Sequence, residues 1–420
     1  MTGPLWGALP DGWLAGQVKN AATVTLGKML QSKDSGSDVR APYMRAANVQ
    51  PDGVLALDDV NEMWFGDAEL EQLSIRAGDV VVVEGGQGGF GRAAYVDEDL
   101  PGWGFQNSIS RLRPFGDFDG RFIAFYLIAL RASGFIRAYS NVVSMPHLTA
   151  EKLARIPMPL PPLEEQRAIA DYLAREIARI DALIDEQQRL IEMLRERRLA
   201  AVEEAVSVVA TGGARLKHVI RSVRQGWSPQ CYAWPADGVE TWAVLRAGAA
   251  NGGRFRPMEN KELPEDEIPR PDIVVIPGDL IVSRANTREL VGSAAVVEGD
   301  FPRLMLCDKL YAFSLDESRA DSRFVASVLG SRRWRDLIEL AATGVSHSML
   351  NISQSDIVNL PMPLPPVDDQ RRIVVRLNSE IAKIDHLIAE TERFIELVRE
   401  RRAALITAAV TGQIDAREMA

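Results

Sequence analysis

The chain has few of the residues that build covalent or metal-centred sites. It contains 2 cysteines and 4 histidines, so a disulfide framework or a CxxC metal site is not expected. The histidines are scattered, and none has a carboxylate or cysteine at metal-ligand spacing. GxSxG, P-loop and HExxH motifs are also missing. These absences favour a binding scaffold over an enzyme with a resident metal.

Long apolar runs are missing as well. The most apolar stretch, residues 122–130, is far too short to cross a bilayer. The N-terminus lacks the charged-then-apolar pattern of a signal peptide. We therefore expect a cytoplasmic protein, and a hydrophobic content of 46% lets the chain bury two ordinary cores.

Positive charge is in deficit, since the formal net charge is −10. A protein that binds nucleic acid by itself normally presents a basic face to the phosphates. Any nucleic-acid surface on this chain must therefore be local, and we expect partner subunits to supply part of the positive field.

What the sequence does contain is a long internal repeat. Residues 157–198 return as residues 361–402, identical at about 25 of 42 positions with an offset of about 204 residues. Fainter matches pair residues 75–82 with 275–282 and 91–96 with 292–297. Loops between the matches diverge. A shared scaffold with unrelated loops is typical of one framework that recognises two different targets.

The repeat predicts a mixed α/β fold with approximate two-fold internal symmetry. Residues 1–156 alternate strand-like runs with Gly- and Pro-rich turns and include one helical segment near 121–138. We divide the chain into a first globular part (1–156), a helical spacer (157–213), a second globular part (214–360) and a second spacer with a C-terminal tail (361–420).

Each spacer predicts a long helix with a heptad seam. Apolar residues recur three and four positions apart from Ile177 to Ala205 and from Ile381 to Ala409. Because neither helix can be stable alone, we expect the two seams to pack as an antiparallel coiled coil. Gln187 and Thr391 occupy equivalent seam positions, either as a polar layer that fixes register or as side chains that reach solvent.

Charge clusters recur near the end of both helical repeats, at residues 195–198 and 399–402. Arginines there could complement the negative end of a helix. Alternatively, they could contact phosphates or a partner subunit.

A glycine-rich segment at residues 86–91 satisfies the GxGxxG pattern. Dinucleotide loops of this pattern open a helix, whereas the following residues here read as another strand, and the second copy lacks the glycines. We interpret the segment as a hairpin loop; an enzyme that uses it as a cofactor loop is the competing hypothesis.

The repeated motif supports a family resemblance. Residues 156–167 (IPMPLPPLEEQR) and 360–371 (LPMPLPPVDDQR) each lead into a long helix and each follow a variable domain. This arrangement resembles the specificity subunit of type I restriction-modification systems over essentially the whole chain. The resemblance implies two target recognition domains that read the halves of a bipartite double-stranded DNA site, and no catalytic activity in the chain by itself.

The resemblance also implies partners. Two methyltransferase subunits would dock on the helices and carry S-adenosylmethionine, and restriction subunits would carry ATP and Mg²⁺. The residues that we assign to partner docking and the spacer are Glu164, Glu165, Gln166, Arg167, Asp368, Asp369, Gln370 and Arg371.

Base readout needs loop side chains that donate or accept hydrogen bonds at the base edges. Arg is suited to guanine, and Asn or Gln is suited to adenine. The first-domain candidates are Arg45, Asn48, Gln87, Arg92 and Asn107. The second-domain candidates are Arg246, Ser283, Arg284, Asn286, Arg288, Ser346 and His347. An alternative is a coiled-coil protein–protein adaptor without DNA specificity, which the acidic balance favours.

Overall fold

The computed structural model describes residues 2–86, 89–140, 147–207, 213–346 and 349–414. The chain forms two compact units, which are Met1–Gln187 with Arg393–Ala420 (unit 1) and Gln188–Glu392 (unit 2). Each unit therefore combines one globular part with segments of both long helices. The four-part division drawn from the sequence separates helices from globular parts and stays a prediction.

Unit 1 contains nine strands and five short helices within the described residues. The strands are β1 (Leu14–Gln17), β2 (Ala22–Leu26), β3 (Val39–Met44), β4 (Asn61–Phe65), β5 (Val80–Val83), β6 (Ala93–Tyr95), β7 (Gly104–Phe105), β8 (Ile109–Pro114) and β9 (Pro157–Leu160). The helices are α1 (Val18–Ala21), α2 (Asp67–Gln72), α3 (Gly120–Ala132), α4 (Phe135–Tyr139) and α5 (Ala150–Ala154). A four-stranded sheet has the order β2-β8-β5-β6, a three-stranded sheet has the order β4-β3-β7, and β1 pairs with β9.

The two long helices are α6 (Leu163–Ser207) and α10 (Val367–Val410), and each contributes residues to both units. The remaining helices are α7 (Ser322–Gly330), α8 (Arg332–Ala341) and α9 (Gln354–Val358). The strands of unit 2 are β10 (Ile220–Gln225), β11 (Ala243–Leu245), β12 (Asn260–Glu262), β13 (Leu280–Ser283), β14 (Ala285–Asn286), β15 (Ala294–Val296), β16 (Leu304–Met305), β17 (Leu310–Leu315), β18 (Thr343–Ser346) and β19 (Met349–Asn351).

The sheets confirm the duplication and the mixed α/β class. Unit 2 has a four-stranded sheet of order β10-β17-β13-β15 and a three-stranded sheet of order β12-β11-β16, which repeat the two main sheets of unit 1 strand for strand. Even the parallel pairing recurs, between β3 and β7 in one copy and between β11 and β16 in the other. Unit 2 adds a small sheet of β14, β19 and β18.

The central strand of each main sheet is buried on both faces. Val80 and Val82 of β5 pack into the core beneath α3, while Val81 and Val83 pack against the three-stranded sheet. Successive side chains of a strand point to opposite faces, so a strand between two packed layers reads as a continuous apolar run. β13 has the same arrangement.

Gly91 and Gly292 occupy equivalent positions in the two copies, and a close contact with an isoleucine side chain explains both. Gly91 and Gly292 each have φ +71°, and an added Cβ would lie 2.7 Å and 2.6 Å from Cγ2 of Ile136 and Ile338. Both features favour glycine. The single helix expected near residues 121–138 is corrected: α3 ends at Ala132, and Gly134 with φ +79° separates it from α4.

Within each unit the long helices pack antiparallel, as predicted. In unit 1, Ile177 shares a core with Ile406 and Ala409, and in unit 2, Ala201 and Ala205 pack with Leu377. Thr391 is buried, with its hydroxyl donating to the Leu387 carbonyl at 2.7 Å, and Gln187 is half-buried. A polar layer formed by Gln187 and Thr391 stays a prediction.

The arginine cluster at residues 195–198 does not complement a helix end. α6 continues to Ser207, whereas the helix dipole acts within the last turn. Instead, Arg195 pairs with Glu392 at 3.3 Å, and Arg197 pairs with Glu380 at 2.9 Å. The cluster therefore forms ion pairs between the helices of unit 2, each exposed and worth about 0–1 kcal/mol.

A buried glutamine joins each globular part to its long helix. The Gln166 side chain is 0% exposed; its Oε1 accepts from the Asp119 amide at 3.0 Å, and its Nε2 donates to the Pro161 carbonyl at 2.8 Å and the Asp117 carbonyl at 3.3 Å. Asp119 in turn caps α3 by accepting from the Arg121 amide. The start of α6 is thus tied to the start of α3.

The second copy repeats this glutamine clamp. Gln370, also 0% exposed, accepts from the Asp321 amide at 2.9 Å and donates to the Arg319 and Pro365 carbonyls at 3.0 and 2.8 Å. Asp321 caps α7. Gln166 and Gln370 therefore hold the fold together, which corrects their assignment to a partner-docking surface.

The clamp generates a stability prediction. We expect Gln166→Leu to lower the free energy of unfolding by about 2 kcal/mol, because it leaves the Asp119 amide and two carbonyls without their partner. Urea unfolding of the full chain measures the loss. The control is Gln188→Leu at an exposed position of α6, for which the change should stay within about 0.5 kcal/mol. Equal stability of the two variants would refute the clamp.

Candidate nucleic-acid interface

In unit 1, three loops from different parts of the chain meet at one end of the sheets. They are the segment after β3 (45–48), the hairpin between β5 and β6 (84–92) and the turn before β8 (106–108). Ser108 connects them, because its hydroxyl accepts from the Ala46 amide at 3.2 Å and its carbonyl accepts from the Glu84 amide at 2.8 Å. The hairpin also contacts the first segment, since Arg92 donates to the Val49 carbonyl at 3.4 Å.

The structure brings three first-domain candidates to this loop cluster, half-buried. Arg45 forms an ion pair with Asp59, Arg92 contacts the Val49 carbonyl, and Asn107 lies in the turn before β8. Each can still present part of its side chain outward, and whether any of them contacts DNA stays a prediction. Gln87 lies outside the described residues.

Asn48 is corrected as a base reader. Its side chain is 2% exposed, with Oδ1 accepting from the Arg45 amide at 2.9 Å and Nδ2 donating to the carbonyls of Ala56 and Asp59. Because both ends of the amide are satisfied inside the fold, Asn48 shapes the loop and has no free edge for a base.

Unit 2 gathers the equivalent loops. Asn286 donates to Asn251 Oδ1 at 3.3 Å, which joins the segment after β13 to the segment after β11. Arg284 donates to the Asp308 carbonyl at 3.3 Å in the turn before β17. The two units therefore present the same three-loop cluster with different side chains.

Second-domain candidates differ in their accessibility. Arg288 is exposed, with Glu339 4.0 Å away, whereas Arg246 is half-buried and donates to the Ala233 carbonyl at 2.7 Å. Ser283 is 0% exposed at the end of β13 and is corrected, because it cannot reach a base edge. Ser346 ends β18, but its side chain and the whole of His347 lie outside the described residues.

Two half-buried arginines that were absent from the sequence-based candidates donate to the loops that follow β5 and β13. Arg131 of α3 donates to the Phe90 carbonyl at 3.1 Å, and Arg335 of α8 donates to the carbonyls of Val291 and Glu289 at 2.6 and 3.0 Å. Burial is the main cause that lowers the pKa of both guanidinium groups. They lie on helices, so no loop-based reading of the sequence would have selected them.

The acidic residues of the repeated motif divide into two kinds. Glu165 accepts a hydrogen bond from the Trp13 indole at 2.8 Å and is half-buried. Glu164 and Asp368 are exposed and form ion pairs one turn along their helices with Arg167 and Arg371, at 3.4 and 3.5 Å. Asp369 pairs with Arg372. The exposed members remain candidates for partner docking.

An ion triad attaches the globular part of unit 1 to the helices. The Arg402 side chain, 10% exposed, lies 3.2 Å from Asp181 of α6 and 3.2 Å from Asp52 of the globular part. Burial, the largest effect, raises the pKa of Asp181, and Arg402 opposes that rise. The triad contains one cation and two anions.

Unit 2 has the equivalent triad with its charge reversed. Asp385 of α10 lies 3.2 Å from Arg198 of α6 and forms an ion pair with Arg254 of the globular part. The Arg–Asp pair between the helices is common to both units. Only the residue from the globular part changes sign, from Asp52 to Arg254.

Neither a metal centre nor a membrane span is found in the described parts of the chain. No group of three or more His, Cys, Asp or Glu side chains there could hold a metal ion. No described helix is both long and apolar enough to cross a membrane. The strands on either side of residues 84–92, β5 and β6, pair antiparallel, unlike the strand–loop–helix of a dinucleotide site.

Comparisons with known proteins identify the class. Residues 10–193 match the family model for the type I restriction modification DNA specificity domain. The chain is 31% identical over 173 residues to the EcoEI specificity subunit of Escherichia coli, a match that covers 41% of this chain and 29% of that protein. It is 23% identical over 431 residues to the StySPI specificity subunit of Salmonella potsdam, covering 98% of this chain and 91% of that protein.

Solved structures share the fold over nearly the whole chain. A chain from a structure on the assembly of a type I R-M system aligns with a TM-score of 0.75 at 18% identity, covering 97% of this chain and 100% of the other. The HsdS subunit from Thermoanaerobacter tengcongensis aligns with a TM-score of 0.55 at 20% identity, covering 97% and 99%.

Two copies of one α/β scaffold on paired helices, together with these matches, define a DNA-specificity subunit. Residues 10–193 match the DNA specificity domain of type I restriction-modification systems, and nearly the whole chain is similar to type I restriction enzyme specificity subunits. The resemblance drawn from the repeated motif is thereby confirmed, and the adaptor without DNA specificity is not favoured.

The triads generate the second prediction. Arg402→Met should lower the free energy of unfolding by about 1–2 kcal/mol, because it removes a nearly buried cation between two half-exposed carboxylates. Arg401→Met, at the exposed neighbouring position, should change it by less than about 0.5 kcal/mol. Urea unfolding compares the two variants, and an equal effect would show that the triad contributes nothing.

Proposed function

We propose that each globular part reads one half of a bipartite, asymmetric DNA site. The observation that carries this proposal is the three-loop cluster, which is repeated on one scaffold but carries different side chains in each copy. Equal frameworks set equal orientations towards DNA, whereas different loops read different bases.

The helical pair is proposed to act as the spacer. DNA rises about 3.4 Å per base pair and an α-helix about 1.5 Å per residue, so helix length would translate into half-site spacing. The exposed acidic and basic residues of the repeated motif, Glu164, Arg167, Asp368 and Arg371, are proposed to dock two methyltransferase subunits. Duplication of the motif supports two copies of one partner.

Catalysis is proposed to reside in those partners. Methyltransferase subunits would bring S-adenosylmethionine, and restriction subunits, where present, would bring ATP and Mg²⁺. The net charge of −10 makes strong DNA binding by the chain alone unfavourable. We therefore expect sequence-specific binding chiefly in the assembled complex, which a gel shift with and without the methyltransferase would measure.

Arg284 and Arg288 test the readout. In a complex reconstituted with the methyltransferase, Arg284→Ala with Arg288→Ala should reduce discrimination at the second half-site by about 10-fold or more, because a bidentate Arg–guanine contact is worth about 1–3 kcal/mol. Methylation of a randomised DNA library gives the preference at each position. Arg221→Ala, whose side chain pairs with Asp316 on the scaffold, is the matched control. Unchanged preference in the double variant would exclude both arginines as readers.

Helix length tests the spacer. Inserting four residues after Gln187 and four after Thr391 lengthens each helix by about 6 Å, which should shift the preferred spacing by about one to two base pairs. The same library, with the gap between half-sites varied, measures the shift. Recognition of the original spacing by the lengthened protein would contradict the proposal that the helical pair acts as the spacer.

A further inference from the structure

Position 84 in unit 1 and position 284 in unit 2 occupy the same place in the backbone. The Glu84 amide donates to the Ser108 carbonyl at 2.8 Å, and the Arg284 amide donates to the Lys309 carbonyl at 2.8 Å. The carbonyls of Glu84 and Arg284 accept from the amides of Leu148 and Ile352 at 2.7 and 2.9 Å. Each residue is therefore the first after its central strand, between the same two neighbouring segments.

The residue at this position is acidic in unit 1 (Glu84) and basic in unit 2 (Arg284). Several scaffold positions keep their residue, as with Asp79 and Asp279 or the glutamine clamp, although the triad residue changes from Asp52 to Arg254. Unlike those triad residues, Glu84 and Arg284 form no ion pair with the described scaffold, so their opposite charges are available for recognition that differs between the two copies. Within this family, what differs between the copies is the DNA sequence to be read.

Glu84 has none of the contacts that a structural carboxylate has. Asp79 lies five residues away; it accepts from the Arg76 amide at 2.9 Å and forms an ion pair with Arg113 at 2.7 Å. The half-buried Glu84 carboxylate accepts no hydrogen bond from the described residues, and the charged group that acts on it is His147. A partly desolvated carboxylate that has no donor among the described residues is costly for a fold, which favours a role towards a ligand.

Burial raises the pKa of Glu84, and His147 opposes that rise. The same burial strengthens the carboxylate oxygens as acceptors towards an arriving donor, because part of the competing water is removed. A neutral amino group is such a donor.

We propose that Glu84 reads a cytosine in the first half-site by accepting a hydrogen bond from its N4 amino group. The proposal rests on the proposed DNA-reading function. A carboxylate only accepts hydrogen bonds and repels phosphates, so the donor groups of base edges are its available partners on DNA, and Glu or Asp pairing with cytosine N4 is the established chemistry. Arg284, at the equivalent place, has the donor pattern that suits guanine.

The test uses the full chain in complex with its methyltransferase and a DNA library randomised in the first half-site. Wild type should require cytosine at one position, Glu84→Gln should lose that preference by about 10-fold, and Glu84→Arg should shift it towards guanine. Second-half-site preferences should stay unchanged in both variants. Glu62→Gln, a half-exposed acid that pairs with Arg40 on β3, is the matched control and should behave as wild type.

A second measurement needs no variant. With wild-type protein, replacing the half-site cytosine by 2-pyrimidinone, which lacks the amino group, should weaken methylation by about 10-fold. The proposal is overturned if both Glu84 variants keep the wild-type preference, or if the analogue is methylated as efficiently as cytosine. Failure of the proposed function itself looks different, because the wild-type complex would then show no sequence preference at either half-site.

Discussion

The attachment of each globular part to its long helix depends on one buried amide side chain. Gln166 and Gln370 each bond simultaneously to the residue that caps a helix of the globular part and to the proline-rich segment that precedes the long helix. A longer or shorter side chain could not satisfy the same three groups. Because a buried amide tolerates little freedom once its partners are fixed, the direction in which α6 or α10 leaves its globular part is set locally and identically in both copies.

The ion triads act farther along the helices and complete this attachment. Arg402 and Asp385 hold a loop of the globular part against the helical pair at a second point; Asp181 and Asp385 lie 15 residues beyond Gln166 and Gln370 on α6 and α10, roughly 22 Å by helix rise. Two points of attachment restrain rotation as well as position. Loops on such a scaffold can differ freely in sequence while their orientation is preserved, which is what a protein with two readers requires.

The parts of the architecture that obey periodicity could be predicted from the sequence. The heptad seam, the duplicated sheets and the hairpin at residues 84–92 follow from side-chain spacing and from the internal repeat, since one-dimensional patterns report which face of an element is buried. Gln166 could not be assigned in this way. A glutamine beside two carboxylates resembles a solvated surface, and its burial depends on the Asp119 segment, which lies 47 residues earlier in the chain.

Base readers were predicted less well, for a related reason. Asn48 and Ser283 have suitable chemistry but are turned inward by contacts that only the folded chain creates. Glu84 was overlooked because a search for DNA contacts favours cations and amides. Its distinctive feature is the comparison with Arg284, which lies two residues beyond the matched segment 275–282 just as Glu84 lies two residues beyond 75–82, and the backbone hydrogen bonds establish that equivalence.

The reversed sign of the triads is matched by the helix residue that each globular part meets. Asp52 contacts Arg402, whereas Arg254 contacts Asp385, and the internal repeat makes Arg402 the equivalent of Arg198 and Asp385 the equivalent of Asp181. Moving the second globular part to the first location would therefore set Arg254 beside Asp181, and the reciprocal move would set Asp52 beside Arg198. Opposite charges meet in both arrangements, so an exchange of the two globular parts within one chain would preserve this ion pair.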